Sequence, residues 1–151
     1  MLNKSEKCEL CAAANENYRV IEKNDLAFSI VIIEPLVEGH LLVLPLAHRR
    51  NIGELTAAES KAIMDMLNKL ALAMRNAYKL EPLIAMNYGK HGTQEHVHFH
   101  IFPYNAALRT IVAHHKNMPE RIRANKKELS KVAEKIKKEL VHTNKNLSSY
   151  E

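Results

Sequence analysis

Three histidines stand on alternate positions in "QEHVHFHIFPY" (94–104): His96, His98 and His100, with Val97, Phe99 and Ile101 in the gaps. In an extended strand successive side chains point to opposite faces, so the imidazoles share one face and the hydrophobic residues the other. Rings on alternate positions lie roughly 7 Å apart, which suits the lining of a cleft and is too wide for mutual hydrogen bonds. A neutral imidazole is a good nucleophile at phosphorus near neutral pH, and a good leaving group once protonated. Its neighbours can donate hydrogen bonds to phosphoryl oxygens as charge develops. The pattern therefore predicts phosphoryl or nucleotidyl transfer through a covalent histidine intermediate. A half-buried strand with a polar outer face is the bland alternative, and Thr or Lys would serve there as well. Hydrolytic zinc chemistry, with all three imidazoles as ligands, is the chemical competitor. It needs strand curvature and a catalytic carboxylate that the sequence does not single out.

The two cysteines, Cys8 and Cys11, form a C-x-x-C. On its own this is a redox pair, a metal hook or a coincidence. The βαβ pattern that a thioredoxin-like site needs does not follow it. Two thiolates at this spacing can chelate one zinc ion, but a structural zinc site takes four ligands.

The elements that must position these groups are legible as five strands and two helices. "YRVIE" (18–22) and "LAFSIVII" (26–33) read as a hairpin turned by Asn and Asp. "HLLVLP" (40–45) is a third apolar run. Thr56 opens a helix with Glu59 three positions on, a capping box. Ile63, Met66, Leu67, Leu70, Met74 and Tyr78 recur at threes and fours, the period of one helical face, and Pro82 enforces the stop. The face with Met66, Leu70 and Met74 exceeds what one-sided packing needs and is expected at a subunit interface. "LIAMNYG" (83–89) and "HVHFHIF" (96–102) complete the strands. A last helix is expected from Asn125, with Leu129, Val132, Ile136 and Leu140 on one side. Strands and helices without strict alternation predict an α+β fold with a mostly antiparallel sheet.

Composition sets the outer limits. A chain of 151 residues, 46% hydrophobic and 26% charged, is one ordinary soluble domain with a real core. No apolar run approaches the roughly 20 residues of a membrane span, so no membrane partner is expected. The N-terminus has no apolar signal-like stretch, which predicts a cytoplasmic protein with reduced cysteines. Net charge is +5, and Lys116–Lys145 alone carries ten Lys or Arg against four Glu, a balance of +6. The rest of the chain therefore sums to −1. A solvated helix face accounts for this segment, and with little aromatic interleaving a nucleic-acid partner is not expected.

"HVHFHIF" resembles the signature of the histidine triad (HIT) family, His-x-His-x-His followed by two hydrophobic residues. "PLVEGHLLVLPLAHRRNIGELTAAE" (35–59) is similar to that family's strand–loop–helix segment, with its Gly-His, apolar strand, Pro and following helix. "CELC" and the basic final helix occur in matching places. The resemblance covers about residues 8 to 141 and implies a single HIT domain over 1–151, with 142–151 a flexible tail. It implies an α+β fold in which a five-stranded sheet, with one long and one C-terminal helix, continues across a homodimer.

Carried over to this chain, the resemblance makes His98 the nucleophile at the α-phosphorus of a nucleotide, held by the carbonyl of His96. His100 would contact the scissile phosphate and its bridging oxygen, and His40 and Asn87 would lie close by. The family splits a nucleoside monophosphate from an amine, a second nucleotide or a similar leaving group. Water, phosphate or a sugar phosphate then resolves the intermediate. The expected substrate is thus a nucleoside phosphoramidate or dinucleoside polyphosphate, and a non-catalytic nucleotide-binding or sensor module is the alternative. A zinc-binding branch uses a C-x-x-C pair, the histidine after the "LP" strand and the first triad histidine. Here these are Cys8, Cys11, His48 and His96, which implies structural zinc. The chain departs from the family at two places. Gly92 stands where a phosphate-binding Gln is common, with Gln94 two residues closer to the triad and the expected substitute. Ile32 stands where many members carry Asp or Asn for the ribose, and Glu34 is the nearest carboxylate.

Overall fold

Asn24 turns the first hairpin with its side chain: Oδ1 accepts from the backbone N–H groups of Leu26 and Ala27 at 2.9 and 2.8 Å. The computed structural model describes residues 8–86, 94–116, 127 and 130. The chain forms two compact units, one through Ile111 and one from Val112 onward. In the first, β1 (Val20–Lys23), β2 (Ala27–Val31), β3 (Leu41–Pro45), β4 (Pro82–Ala85) and β5 (Phe99–Pro103) build one sheet in the order β1-β2-β3-β5-β4. Every neighbouring pair is antiparallel. With α1 (Glu9–Ala13), α2 (Ala57–Tyr78) and α3 (Leu108–His115), the fold is α+β as expected.

Alternation along the strands divides the core into two layers. Ala27, Val43 and Ile101 face α2, where they meet Ile63, Met66, Leu67, Leu70 and Met74. Phe28, Ile30, Leu42 and Leu44 face the other way and are covered by Leu10, Ala13 and Ala14 at the N-terminus. The register places His100 opposite Leu42 on one side and Ala85 on the other. Cross-strand partners share a face, so His100 emerges beside the layer that α1 covers.

The capping box of α2 is present: Thr56 Oγ1 accepts from the Glu59 N–H at 3.1 Å, and Glu59 Oε2 accepts from the Thr56 N–H at 2.8 Å. The other end differs from expectation. The helix closes at Tyr78 because Lys79 turns left-handed, with φ 58°, and Pro82 opens the edge strand β4 instead of stopping the helix. The triad strand starts late, since β5 begins at Phe99, with His96 in a bend and His98 in irregular chain before it. α1 and α3 are absent from the periodicity reading, as helices of five and eight residues fall below its window. The expected strand 83–89 runs into undescribed residues from 87. The tail 142–151 and most of the helix from Asn125 also lie outside the described residues. Of that helix Lys127 and Ser130 are described, both helical and exposed.

The methionine face is core, which overturns its reading as a subunit interface. Met66, Leu70 and Met74 are buried within the single chain, and Met66 is 1% exposed. The sheet supplies the partner surface that the sequence pattern left open. Met66→Ala should therefore destabilise the fold by about 2–5 kcal/mol while leaving the mass seen by light scattering at the wild-type value. A stability loss too small to resolve, or a change in mass, would return Met66 to an interface.

Candidate functional site

His96 is fully buried and uses three of its atoms at once. Its Nε2–H donates to the Pro45 carbonyl at 3.0 Å, and its own carbonyl accepts from His98 Nδ1 at 2.7 Å. A backbone carbonyl only accepts, so the proton of each ring is located by its partner. His96 is left with its lone pair on Nδ1, and His98 with its lone pair on Nε2. The next residue locks the segment, for the Val97 N–H donates to the Arg49 carbonyl at 2.7 Å. Arg49 is anchored in turn by a two-pronged ion pair with the buried Glu59 carboxylate, at 3.0 to 3.1 Å.

A second chain of tautomers ends on His100. The Leu36 N–H donates to His40 Nδ1 at 3.1 Å. His40 must then carry its proton on Nε2, which donates to His100 Nδ1 at 2.8 Å. His100 keeps an N–H on Nε2. Across the 5.0 Å between the ring centres of His98 and His100, the site thus sets one basic nitrogen beside one donor. This corrects two expectations. The rings are closer than the ~7 Å of a regular strand, because His98 precedes β5. They are also far from exposed: His98 is buried and His100 half-buried. Burial first, then His98 and His40, hold the His100 pKa at about 4. Burial also lowers that of His40.

The lone pair on His96 Nδ1 points into a separate cluster. It lies 3.6 Å from Cys8 Sγ and 3.3 Å from Cys11 Sγ, and Cys11 Sγ is 3.3 Å from His48 Nδ1. All four ligand atoms fall within 4.8 Å of one another. A zinc ion at about 2.3 Å from sulfur and 2.0–2.1 Å from nitrogen has tetrahedral edges of roughly 3.3–3.8 Å. The cluster needs only a small contraction to match. Burial, followed by the Cys8 thiol, pushes the Cys11 pKa up to about 11. A dication between two thiolates reverses that balance. Cys8 is the N-cap of α1 and Cys11 lies in its first turn, so three residues of helix bring both sulfurs to one side.

The family model of the HIT domain matches residues 13–107. The chain belongs to the HIT family. It is 28% identical over 99 residues to the adenosine 5'-monophosphoramidase of Saccharomyces cerevisiae, covering 64% of this chain and 60% of that enzyme. Over 129 residues it is 24% identical to an AP-4-A phosphorylase of Mycobacterium tuberculosis, covering 81% of this chain and 66% of the relative. Among solved structures, a Zn-bound histidine triad family protein from Mycobacterium smegmatis matches with TM-score 0.60 and 25% identity. That match covers 69% of this chain and 80% of the other. A histidine triad nucleotide-binding protein from Candida albicans has the same fold, with TM-score 0.69, 20% identity and coverage of 91% and 99%.

Not every residue expected from the HIT pattern converges on the triad. Gln94 donates from Nε2 to Glu9 Oε2 at 3.4 Å, which aims its amide at α1. Ile32 packs onto the layer under α1. Glu34 is exposed in the bend after β2. Asn87 lies outside the described residues. His114 and His115 end α3 and are exposed. Arg49 and the carbonyl of Pro45 escaped the sequence reading, although Arg49 directly follows a candidate ligand, and Glu59 entered it only as the capping-box acid.

The neutral state of His100 has a consequence for stability. An unfolded imidazole takes its proton near pH 6.5, whereas the folded ring takes it only near 4. The unfolded chain therefore binds more protons in between, and stability falls as pH drops from about 6.5 towards about 4. His100→Gln, compared with wild type in the same metal state, should show a shallower fall of melting temperature over that window and no difference in slope above pH 7. Parallel melting curves through the window would show that His100 titrates normally in the fold.

Proposed function

We propose that this chain is a nucleotide hydrolase or nucleotidyl transferase that acts at the α-phosphorus of a nucleoside phosphoramidate or dinucleoside polyphosphate. The observation that carries this is the pair of located protons, with a lone pair on His98 Nε2 and an N–H on His100 Nε2, enforced by the His96 carbonyl and by His40. His98 Nε2 attacks phosphorus, the bond to the leaving group breaks, and its electron pair stays on the departing nitrogen or oxygen. The His100 N–H, or a proton relayed through it, meets that atom as charge develops. Water or another acceptor then attacks the nucleotidyl-histidine, the P–N bond breaks, and His98 returns to its neutral form. The phosphoramidase and phosphorylase among the relatives support this class of reaction. His40 acts here by orienting His100. Asn87 is assigned to the phosphate from the family pattern alone. Gln94 must leave Glu9 to reach a substrate, and this favours a non-catalytic nucleotide-binding module as the second reading.

The geometry also supports structural zinc held by Cys8, Cys11, His48 and His96. Bound there, zinc would neutralise the two thiolates and cross-link α1, the loop after β3 and the triad segment, with four protein ligands and no open position. We further place the protein in the cytoplasm, where those thiols stay reduced, as one domain over about 8–141. Among the described residues no helix is long and apolar enough to cross a membrane. The homodimer is retained through the free edge of β4, where Ile84 is 45% exposed.

Incubation with an adenosine phosphoramidate and with a dinucleoside polyphosphate should yield AMP from at least one, and a quench should trap a nucleotidyl-enzyme. His98→Ala should abolish turnover in protein that remains folded, and His100→Ala should cost roughly 10²-fold. More than a few per cent of wild-type turnover in His98→Ala would exclude it as the nucleophile. Binding of the nucleotide without any turnover would establish the binding-module reading instead.

Metal content gives an independent check. Wild type should carry about one zinc per chain, and Cys8→Ser and His48→Ala should each lose it and melt earlier. Protein that purifies without zinc yet folds and melts like the metal-loaded form would refute the site.

A further inference from the structure

Gly39 stands immediately before His40 with φ +84°, a left-handed conformation that glycine adopts without steric cost. A side chain there would also meet the end of the Tyr78 ring. A Cβ on Gly39 would lie 2.7 Å from Cε2 and Cζ of Tyr78 and 2.9 Å from its hydroxyl oxygen. The Tyr78 ring therefore rests directly on the Gly39 backbone. Tyr78 is the last residue of α2, in a helix end closed by the left-handed Lys79, whose N–H donates to the Arg75 carbonyl at 3.0 Å.

The turn beneath this ring is the one that orients His40. The His40 N–H donates to the Val37 carbonyl at 3.3 Å, and the Leu36 N–H donates to His40 Nδ1 at 3.1 Å. That second bond keeps the His40 proton on Nε2, and hence the His100 proton on Nε2 as well. Were the turn to swing away, His40 could carry its proton on either nitrogen. His100 would then lose its reason to present an N–H. Tyr78 reaches none of these imidazole atoms by a hydrogen bond and works through the turn.

We propose that Tyr78 is a positioning residue for proton donation by His100: its ring pins the Gly39 turn, the turn holds the Leu36 N–H on His40, and His40 fixes the tautomer of His100. This rests on the reading of His98 as nucleophile and His100 as donor. In the step concerned, the P–X bond breaks with its electron pair on the leaving atom X, and the proton from His100 Nε2 goes to X. The ring carries the role, so Phe should replace Tyr.

The test compares two adenosine monophosphoryl substrates that differ only in leaving group. An alkylamine must be protonated to depart, whereas p-nitrophenolate departs without a proton. Tyr78→Ala should lower kcat for the alkylamine substrate roughly tenfold to a hundredfold and leave the p-nitrophenyl ester within about twofold of wild type. Tyr78→Phe should match wild type on both. The ¹⁵N imidazole spectrum should show His100 as the single Nε2–H tautomer in wild type and as a mixture in Tyr78→Ala. Should Tyr78→Ala melt too early to assay, Tyr78→Leu removes the ring while keeping apolar bulk and should give the same selective loss. Equal losses on both substrates, no loss, a Phe variant as impaired as Ala, or an unchanged His100 tautomer in Tyr78→Ala would each overturn the proposal. His98→Ala serves as the separate control. If it still turns over both substrates, the nucleophile reading fails and takes the proposal with it. If it is dead on both while Tyr78→Ala shows no selectivity, only the role of Tyr78 fails.

Discussion

The 2.7 Å bond from His98 Nδ1 to the carbonyl of His96 joins two sites that would otherwise be independent. On one side of residue 96 the backbone settles which nitrogen of His98 is basic. On the other, its ring faces two sulfurs and a second imidazole. Rotation of the His96 ring would break the bond to Pro45 and withdraw Nδ1 from the cysteine cluster, and any backbone shift that allowed it would move the carbonyl that orients His98. Three functions rest on one residue with no freedom left, and its complete burial follows from that.

Such a site is built from backbone groups more than from charges. Pro45, His96 and Leu36 each contribute a main-chain donor or acceptor that fixes the proton on an imidazole. Carboxylates would orient the rings as well, but they would also favour the protonated imidazolium. The Pro45 carbonyl favours the cation too, but burial outweighs it at His96, and burial likewise lowers the pKa of His40 and His100. The result is a set of imidazoles whose protons are placed by fixed partners, the kind of preorganisation that the proposed transfer at phosphorus would draw on.

How much of this was legible in the sequence depended on range. The capping box of Thr56 and Glu59 is local, and it formed as read. The alternation of His96, His98 and His100 holds in β5 for His100 alone, and it missed the depth of His96 and His98, because neither α1 nor the Arg49 carbonyl has a signal within the triad segment. Met66, Leu70 and Met74 were correctly read as an apolar face, yet a helical wheel does not say whether a sheet or a second subunit covers it. The pairing of His40 with His100 depends on the register Leu42↔His100 across 60 residues of chain. No periodicity reports such a register. Gln94 was assigned from the resemblance and its place in the chain, which could not show that Glu9, on a helix too short to be read, meets its amide.

Helix α2 gains a role beyond core packing from the contacts at its two ends. At its N-terminus the capping acid Glu59 holds Arg49, whose carbonyl holds Val97 between the two buried histidines. At its C-terminus Tyr78 lies on the Gly39 turn beside His40. A 22-residue helix spans about 33 Å, and between those ends Ile63, Met66, Leu67, Leu70 and Met74 fix it to the sheet. One rigid rod therefore touches both the segment that presents the basic nitrogen of His98 and the turn that controls the N–H of His100. A small shift of the rod against the sheet would move both segments together, so the relative placement of base and donor is protected by the same packing that stabilises the fold. The sequence reading needed the helix only as one wall of a core, but the register of that wall sets the spacing of the chemistry on the opposite face of the sheet.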